Sequence, residues 1–305
     1  MSERDVAGLL FAAEMYGVQL DQLAVRLGVS EVRARALAAR WREQGYADSA
    51  RLGPGRPWVW LTRAGLLACG LPYRPSPPAL ARLAHVRAVT AVRMALESAP
   101  GYAAAGAYWR SERRLRARMG SRVPLREHLP DGEVHWPDPV GAPSAEAPVT
   151  DVPGAAPAWA GECWAIEAEL TRKTVRRTTA IMAEILTRTG DYGCPAAEAR
   201  VPGVPPRHAR VLYVCSAAAR PTVLRARDAL PPALASRVEI RSLPAAAALA
   251  DAAPAGPAPA GPAPAGPAPT GPAPTGSPRS GTVPDGPDPT GCRRVRPPSD
   301  SGTPP

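Results

Sequence analysis

Apolar side chains recur at helical spacing over residues 4–16 (Val6, Leu9, Leu10, Ala13) and predict a helix there. Residues 20–27 repeat the signal, with Leu20, Leu23, Ala24 and Leu27 at i, i+3, i+4 and i+7. Gly28 suits a left-handed turn and Ser30 an N-cap, so a third helix is expected from Glu31 to Gln44, stopped by Gly45. Its apolar stripe is Ala34, Leu37, Ala38 and Trp41. Tyr46–Leu52 and Pro57–Leu61 then read as two short strands around a Gly53-Pro54-Gly55 turn, with Trp58 and Trp60 on one face and Val59 on the other. Thr62 caps a fourth helix.

Beyond a Pro-rich linker (Pro72–Pro78), a long helix is expected over 79–98, its apolar side carried by Leu80, Leu83, Ala84, Val86 and Val89. A strand is expected at Gly106–Trp109, then SERRLRAR at 111–118, then a strand at Glu133–Trp136 behind Pro130-Asp131-Gly132. Residues 137–161, rich in Pro, Ala and Gly, read as a disordered insertion. Strands at 162–170, 209–216 and 237–243 alternate with helices at about 174–189 and 219–230. The order α, β, β, β, α, β, α, β implies a central mixed sheet covered by helices, hence an α+β chain overall. Residues 244–305, with an AGPAP repeat, hold too little apolar surface to offset ordering entropy and read as a disordered tail. The expected division is 1–75, 79–243 and 244–305.

Charge and cysteine usage narrow the function. The net charge is +10, which suits a polyanionic partner, although a GC-rich genome also inflates Arg. Five cysteines, none spaced as CxxC, match no zinc pattern and suit a reducing, cytoplasmic setting. The start MSERDV lacks a signal peptide's apolar core, and no apolar run is long enough to span a membrane, so no membrane partner is expected.

Two regions carry candidate chemistry. On the third helix, Arg33 and Arg40 flank the apolar stripe on one side, Arg35 and Arg42 on the other. Such rows let a helix enter a major groove while arginines reach the phosphates on both walls; the plainer reading is a solvated basic rim. Arg51 and Arg56 bracket the hairpin tip, placed for a backbone or a minor groove. Helix, helix, turn, helix, basic hairpin and LT-x-x-G helix resembles a winged helix-turn-helix, and double-stranded DNA is the partner that resemblance implies. Winged helices also dock proteins; we weigh DNA above docking.

In the second region, strand alternation puts Trp164, Ile166, Ala168 and Leu170 on one face and Glu167 and Glu169 on the other. Two carboxylates side by side repel unless a cation or proton lies between them. Asp131, at the start of the preceding strand, comes alongside, and three carboxylates suit an oxygen-liking ion such as Mg²⁺. Lys173, four residues past Glu169, is the single lysine among 37 basic residues. A lysine offers a compact, titratable ammonium that arginine does not. Glu112 offers a further carboxylate, weighed against a surface Glu in a basic stretch. His128 and His135 show no metal spacing, and His85 reads as a packed or hydrogen-bonded histidine.

Pro-Asp, then Glu-x-Glu on the next strand, then a helix, resembles the PD-(D/E)XK nuclease superfamily, a restriction-endonuclease-like fold. The resemblance implies Asp131 and Glu167 as metal ligands beside Glu169. It also implies Lys173 standing in from the strand's end for the motif's lysine, whose usual place Glu169 occupies. That departure leaves a binding-only fold open. Taken whole, a winged helix, a helix with a mid-length His, W-x-SERRLR, PDG and E-x-E-x-x-x-K resembles the replication-relaxation family over residues 5–243. That family implies a DNA-binding protein of a plasmid or integrative element, acting in replication, DNA relaxation or mobilisation beside replication or conjugation proteins of the same element. Metal-dependent phosphodiester cleavage is the enzyme reading. A winged-helix transcriptional regulator with an inactive second domain is the alternative. Oligomeric state, DNA site and the tail's role are not written in the pattern.

Overall fold

Helix signals in the first 68 residues are realised almost to the residue. The structure, a computed structural model, describes residues 1–53, 55–119, 128–137, 160–190 and 205–244. The expected insertion (save its edges) and tail, and the turn residue Pro54, lie outside the described residues. Helix α1 (Glu3–Glu14) opens on a capping box in which Ser2 and Asp5 exchange hydrogen bonds. Strand β1 (Val18–Gln19), α2 (Leu20–Leu27) and α3 (Glu31–Glu43) follow. Gly28 closes α2 at φ 62°, a conformation that glycine adopts without Cβ strain, and Ser30 caps α3 by accepting from the Arg33 amide at 3.3 Å.

Strands β2 (Ala47–Ala50) and β3 (Trp58–Leu61) pair antiparallel, and β1 joins the other edge of β3, giving the order β1-β3-β2. Central placement of β3 buries Trp58 and Val59, on opposite faces, so its alternation does not separate core from solvent. Helix α4 (Arg63–Ala68) follows, capped by Thr62.

A short 3₁₀ turn (Leu80–Arg82) leads into α5 (Leu83–Glu97). Sequence periodicity gave α5 one apolar side. In the structure Val86 through Arg93 are all buried, because the helix lies between the two halves, whereas Leu80 and Ala84 are exposed. Two short helices that the pattern did not announce, α6 (Pro100–Ala104) and α10 (Pro232–Ala235), sit among α7 (Glu112–Met119), α8 (Val175–Thr187) and α9 (Arg220–Asp228).

Strands β4 (Tyr108–Ser111), β5 (Gly132–His135), β6 (Cys163–Glu169), β7 (Arg210–Cys215) and β8 (Val238–Ser242) form one mixed sheet in chain order. The first two pairings are antiparallel and the last two parallel. Both faces are covered. Val134, Trp164, Ile166, Leu212 and Val214 share a core with Leu9, Phe11 and Trp41 of the N-terminal helices and Val89 and Val92 of α5. Ala165, Val211, Tyr213 and Cys215 pack beneath Met182, Ile185 and Leu186 of α8 and Val223 and Ala226 of α9.

Polar locks join the halves as well. Buried Arg87 of α5 bonds Asp21 at 2.7 and 3.1 Å and also Gln19, and Gln22 donates to the Arg87 carbonyl at 2.9 Å. Arg113 donates to the Ala13 and Arg74 carbonyls at 2.7 and 2.6 Å, and Arg26 pairs with Glu97 at 2.7 Å. The described residues accordingly belong to one compact unit. Among the described residues, no helix is long and apolar enough to cross a membrane.

Candidate functional site

Register places the acidic residues in a row. The β4–β5 pairing (Ser111 with Gly132), extended one residue, sets Glu112 beside Asp131, and the Glu112 amide donates to the Asp131 carbonyl at 3.2 Å. The β5–β6 pairing (Gly132 with Ile166), extended likewise, sets Asp131 opposite Glu167, and Glu167 pairs with Tyr213 on β7. Gly132 makes this arrangement possible: a Cβ there would stand 2.1 Å from the Trp109 ring, so only glycine lets the indole lie across the strand where Asp131 begins it.

A cleft of about 510 Å³ opens over this row. It is lined by Glu112, Asp131, Glu167, Glu169 and Lys173, all five residues singled out from sequence, together with Arg82, His85, Arg116 and His128. Each carboxylate is held by its own partner. His85 Nε2 lies 2.7 Å from Asp131 Oδ1, while Asp131 Oδ2 accepts from the Ala168 amide at 2.8 Å. His128 Nε2 lies 2.7 Å from Glu167 Oε1, and Lys173 Nζ lies 2.5 Å from Glu169 Oε2. Glu112 pairs with Arg82 at 3.0 Å and with Arg116.

The sequence reading expected Asp131, Glu167 and Glu169 to converge on one ion. They share the cleft, but they are not a three-ligand set in this structure: each carboxylate faces its own imidazole or ammonium instead. Among the described residues, the one such set with all ligand atoms within 4.8 Å of one another is Glu133, Cys163 and His208, which could hold a metal ion.

The two facing carboxyls are shifted in opposite directions. Burial pushes the pKa of Asp131 up, but the His85 bond and charge, the Ala168 amide and the nearby His128 outweigh it and hold Asp131 below the usual carboxylate range. Burial also pushes Glu167 up, and there it prevails over His128, with the Asp131 charge adding to the rise. Both cleft imidazoles are lowered by burial, yet the carboxylates raise them, on balance, above 6.5. A pair of titratable groups driven apart in this way is the usual preparation for acid–base chemistry.

His85 and His128 were not chosen from sequence as site residues. Their partners lie 46 and 39 residues away, so spacing holds no trace of either contact. The one usable signal was the polar His85 on a helix among apolar neighbours.

On the N-terminal part, Arg33, Arg35, Arg42 and Arg51 are exposed and form no ion pair with described residues. Arg56 is exposed but pairs with Glu31 at 3.0 Å. Arg40 departs from the expected free row: it is half-buried against the Asp5 carboxylate, which also accepts from the Trp41 indole at 2.9 Å. Burial opposes ionisation of Asp5, but the Ser2, Trp41 and Arg40 bonds hold it strongly acidic. Arg40 therefore clamps α3 to α1. No protein-family model, curated protein or solved structure was found to match the chain.

Proposed function

We propose that the chain is a DNA-binding protein whose N-terminal part docks on duplex DNA as a winged helix and whose second region carries Mg²⁺-dependent phosphodiester cleavage. The observation that carries the reading is the cleft itself, which collects four carboxylates, one ammonium, two imidazoles and two guanidiniums at one end of β5 and β6. The chain order of the mixed sheet, with its three antiparallel strands followed by a helix and a parallel strand, supports a PD-(D/E)XK-like ancestry. We carry forward on the same footing the resemblance to the replication-relaxation family. It gives the protein a role in replication, relaxation or mobilisation of a plasmid or integrative element, with other proteins of that element as partners.

The donors fit the ion. Asp131, Glu167 and Glu169 are hard oxygen ligands, which Mg²⁺ prefers, and Asp131 and Glu167 face each other across adjacent strands. Mg²⁺ held there would supply Lewis acidity at a phosphoryl oxygen and acidify a bound water. Lys173 places an ammonium at the cleft mouth for a phosphate or a developing charge. Arg82 and Arg116 line the same wall and offset phosphate charge. His128 and His85 set Nε2 beside Glu167 and Asp131, placed to hold or pass a proton there, and their grip on the carboxylates weakens when the imidazoles lose their charge. On α3, Arg33 and Arg35 offer phosphate contacts, while Val32 and Ala36 between them are exposed and free to meet base edges.

A supercoiled-plasmid nicking assay with Mg²⁺ tests the enzyme reading on the parent, Glu167→Ala and Lys173→Ala. Nicking by the parent and loss of at least about 100-fold in both variants is expected, the scale of a general acid–base group. Equal background nicking in all three would remove it. A second reading, a winged-helix regulator with an inactive second region, draws on the pairing of each carboxylate with a protein cation. It predicts specific DNA binding with no nicking at any metal concentration.

A further inference from the structure

At the other end of β5 and β6, on the same sheet face as the cleft, lies a second polar cluster that the proposed function does not use. Glu133 is fully buried there. His208 Nε2 lies 2.9 Å from Glu133 Oε1, and His135 Nε2 lies 2.9 Å from Glu133 Oε2 and 3.6 Å from Cys163 Sγ. The other nitrogen of His208, Nδ1, faces the Ile185 carbonyl at 3.4 Å. The ligand atoms of Glu133, Cys163 and His208 all lie within 4.8 Å of one another, a set that could hold a metal ion.

We propose that Cys163, His208 and Glu133 bind a thiolate-accepting divalent ion of the zinc class, with His135, whose Nε2 lies 3.6 Å from the thiol, turning in as the fourth donor on binding. The donor set is the reverse of the cleft's: one sulfur and two imidazoles select Zn²⁺ over Mg²⁺. Zn–S near 2.3 Å and Zn–N near 2.0 Å at a tetrahedral angle put sulfur and nitrogen about 3.6 Å apart. The Cys163–His135 separation is 3.6 Å. Carboxylate and imidazole around the same ion stand about 3.3 Å apart, so the Glu133 contacts open by a few tenths of an ångström on binding.

Arg207 donates to Glu133 at 2.9 and 3.2 Å, and Arg110 lies at 3.9 Å. Arg207 supplies the outer hydrogen bonds that ligating carboxylates keep, and Arg110 adds charge alone. The ion would tie β5, the start of β6 and the residue leading into β7, and its enclosed position suits a structural role.

The experiment uses the full chain, stripped with EDTA and titrated with Co²⁺ and Zn²⁺. The expected result is a near-ultraviolet thiolate-to-cobalt band that saturates at one thiolate-bound ion per chain and that zinc abolishes. Cys163→Ser should lose the band. A chain in which the other four cysteines are serine should keep it, and Glu167→Ala should keep it too. A folded parent chain without the band overturns the proposal whatever the variants do. A band that survives Cys163→Ser, or that disappears with Glu167→Ala, overturns it too. Loss of nicking with the band intact would refute the cleft reading and leave this site standing.

Discussion

One face of β5 and β6 carries two ionic clusters built on opposite plans. Around Glu133, one fully buried carboxylate gathers two histidines and two arginines, and the cluster lies beneath α8. Around Asp131 and Glu167, several carboxylates each take a separate partner and open into a cleft. The first holds Glu133 far below the usual carboxylate range: burial opposes ionisation, and His135, His208 and Arg207 overcome it. The second leaves Glu167 raised by burial beside an ionised Asp131. The difference teaches that ionic partners on one strand pair can serve opposite ends. Surplus partners around one buried anion make a closed centre. Several anions, each with partners of its own, make an open cleft.

The largest effect that would break this comparison is on stability. Glu133→Ala strands Arg207 and two imidazoles in the interior, and removing one partner of a buried pair costs about 3–5 kcal/mol. Glu167→Ala leaves only His128 without its partner, and that imidazole is partly exposed and can turn to water, so it should cost less, about 1–2 kcal/mol. Urea denaturation of both variants measures the gap, and equal losses would erase the distinction between closed centre and open cleft.

A smaller effect concerns pH. His85 and His128 have folded-state values above 6.5. Their contribution to stability is therefore complete below pH 6.5 and fades as pH rises through the raised values. Metal-dependent nicking should move the other way and increase over the same interval, as neutral imidazoles give up the carboxylates. Histidine ring-proton NMR titration checks the premise, and values at or below 6.5 for both residues would refute it.

DNA affinity sharpens the contrast between α3's free and clamped arginines. Arg33→Ala and Arg35→Ala should weaken duplex binding and each lower the salt-dependence slope by about 1, with stability changed by less than about 0.5 kcal/mol. Arg40→Ala should lower stability through lost contact with Asp5, so its gel-shift result mixes folding with binding. Last, Gly28→Ala meets no atom within 4 Å of the new Cβ and costs only its left-handed backbone, about 1 kcal/mol by thermal unfolding.

Legibility of the chain follows interaction range. Helix α2 was readable to its ends because its period, its αL glycine and the following cap are all local. Glu167 and Glu169 could be placed on one face because strand alternation is local too. The two-residue β1 could not be read, since it exists only by pairing with β3 some 40 residues on. Alternation in Glu133-Val134-His135-Trp136 identified the strand but not the fate of Glu133, because helices cover both faces and no side is left for solvent. The Cys163–His208 approach and the imidazole partners of the cleft are tertiary, and no spacing rule reaches across them. Arg40 looked free because the helical wheel shows its flank but not the Asp5 that α1 brings to it.

Crystals of the full chain soaked in Mn²⁺ give the most direct test of the cleft. Anomalous scattering should show one manganese ion bound by oxygens of Asp131 and Glu167, with His85 and His128 withdrawn from them. An ordered cleft with both imidazole–carboxylate pairs intact and no anomalous peak, at Mn²⁺ concentrations far above those that support cleavage, would contradict the account.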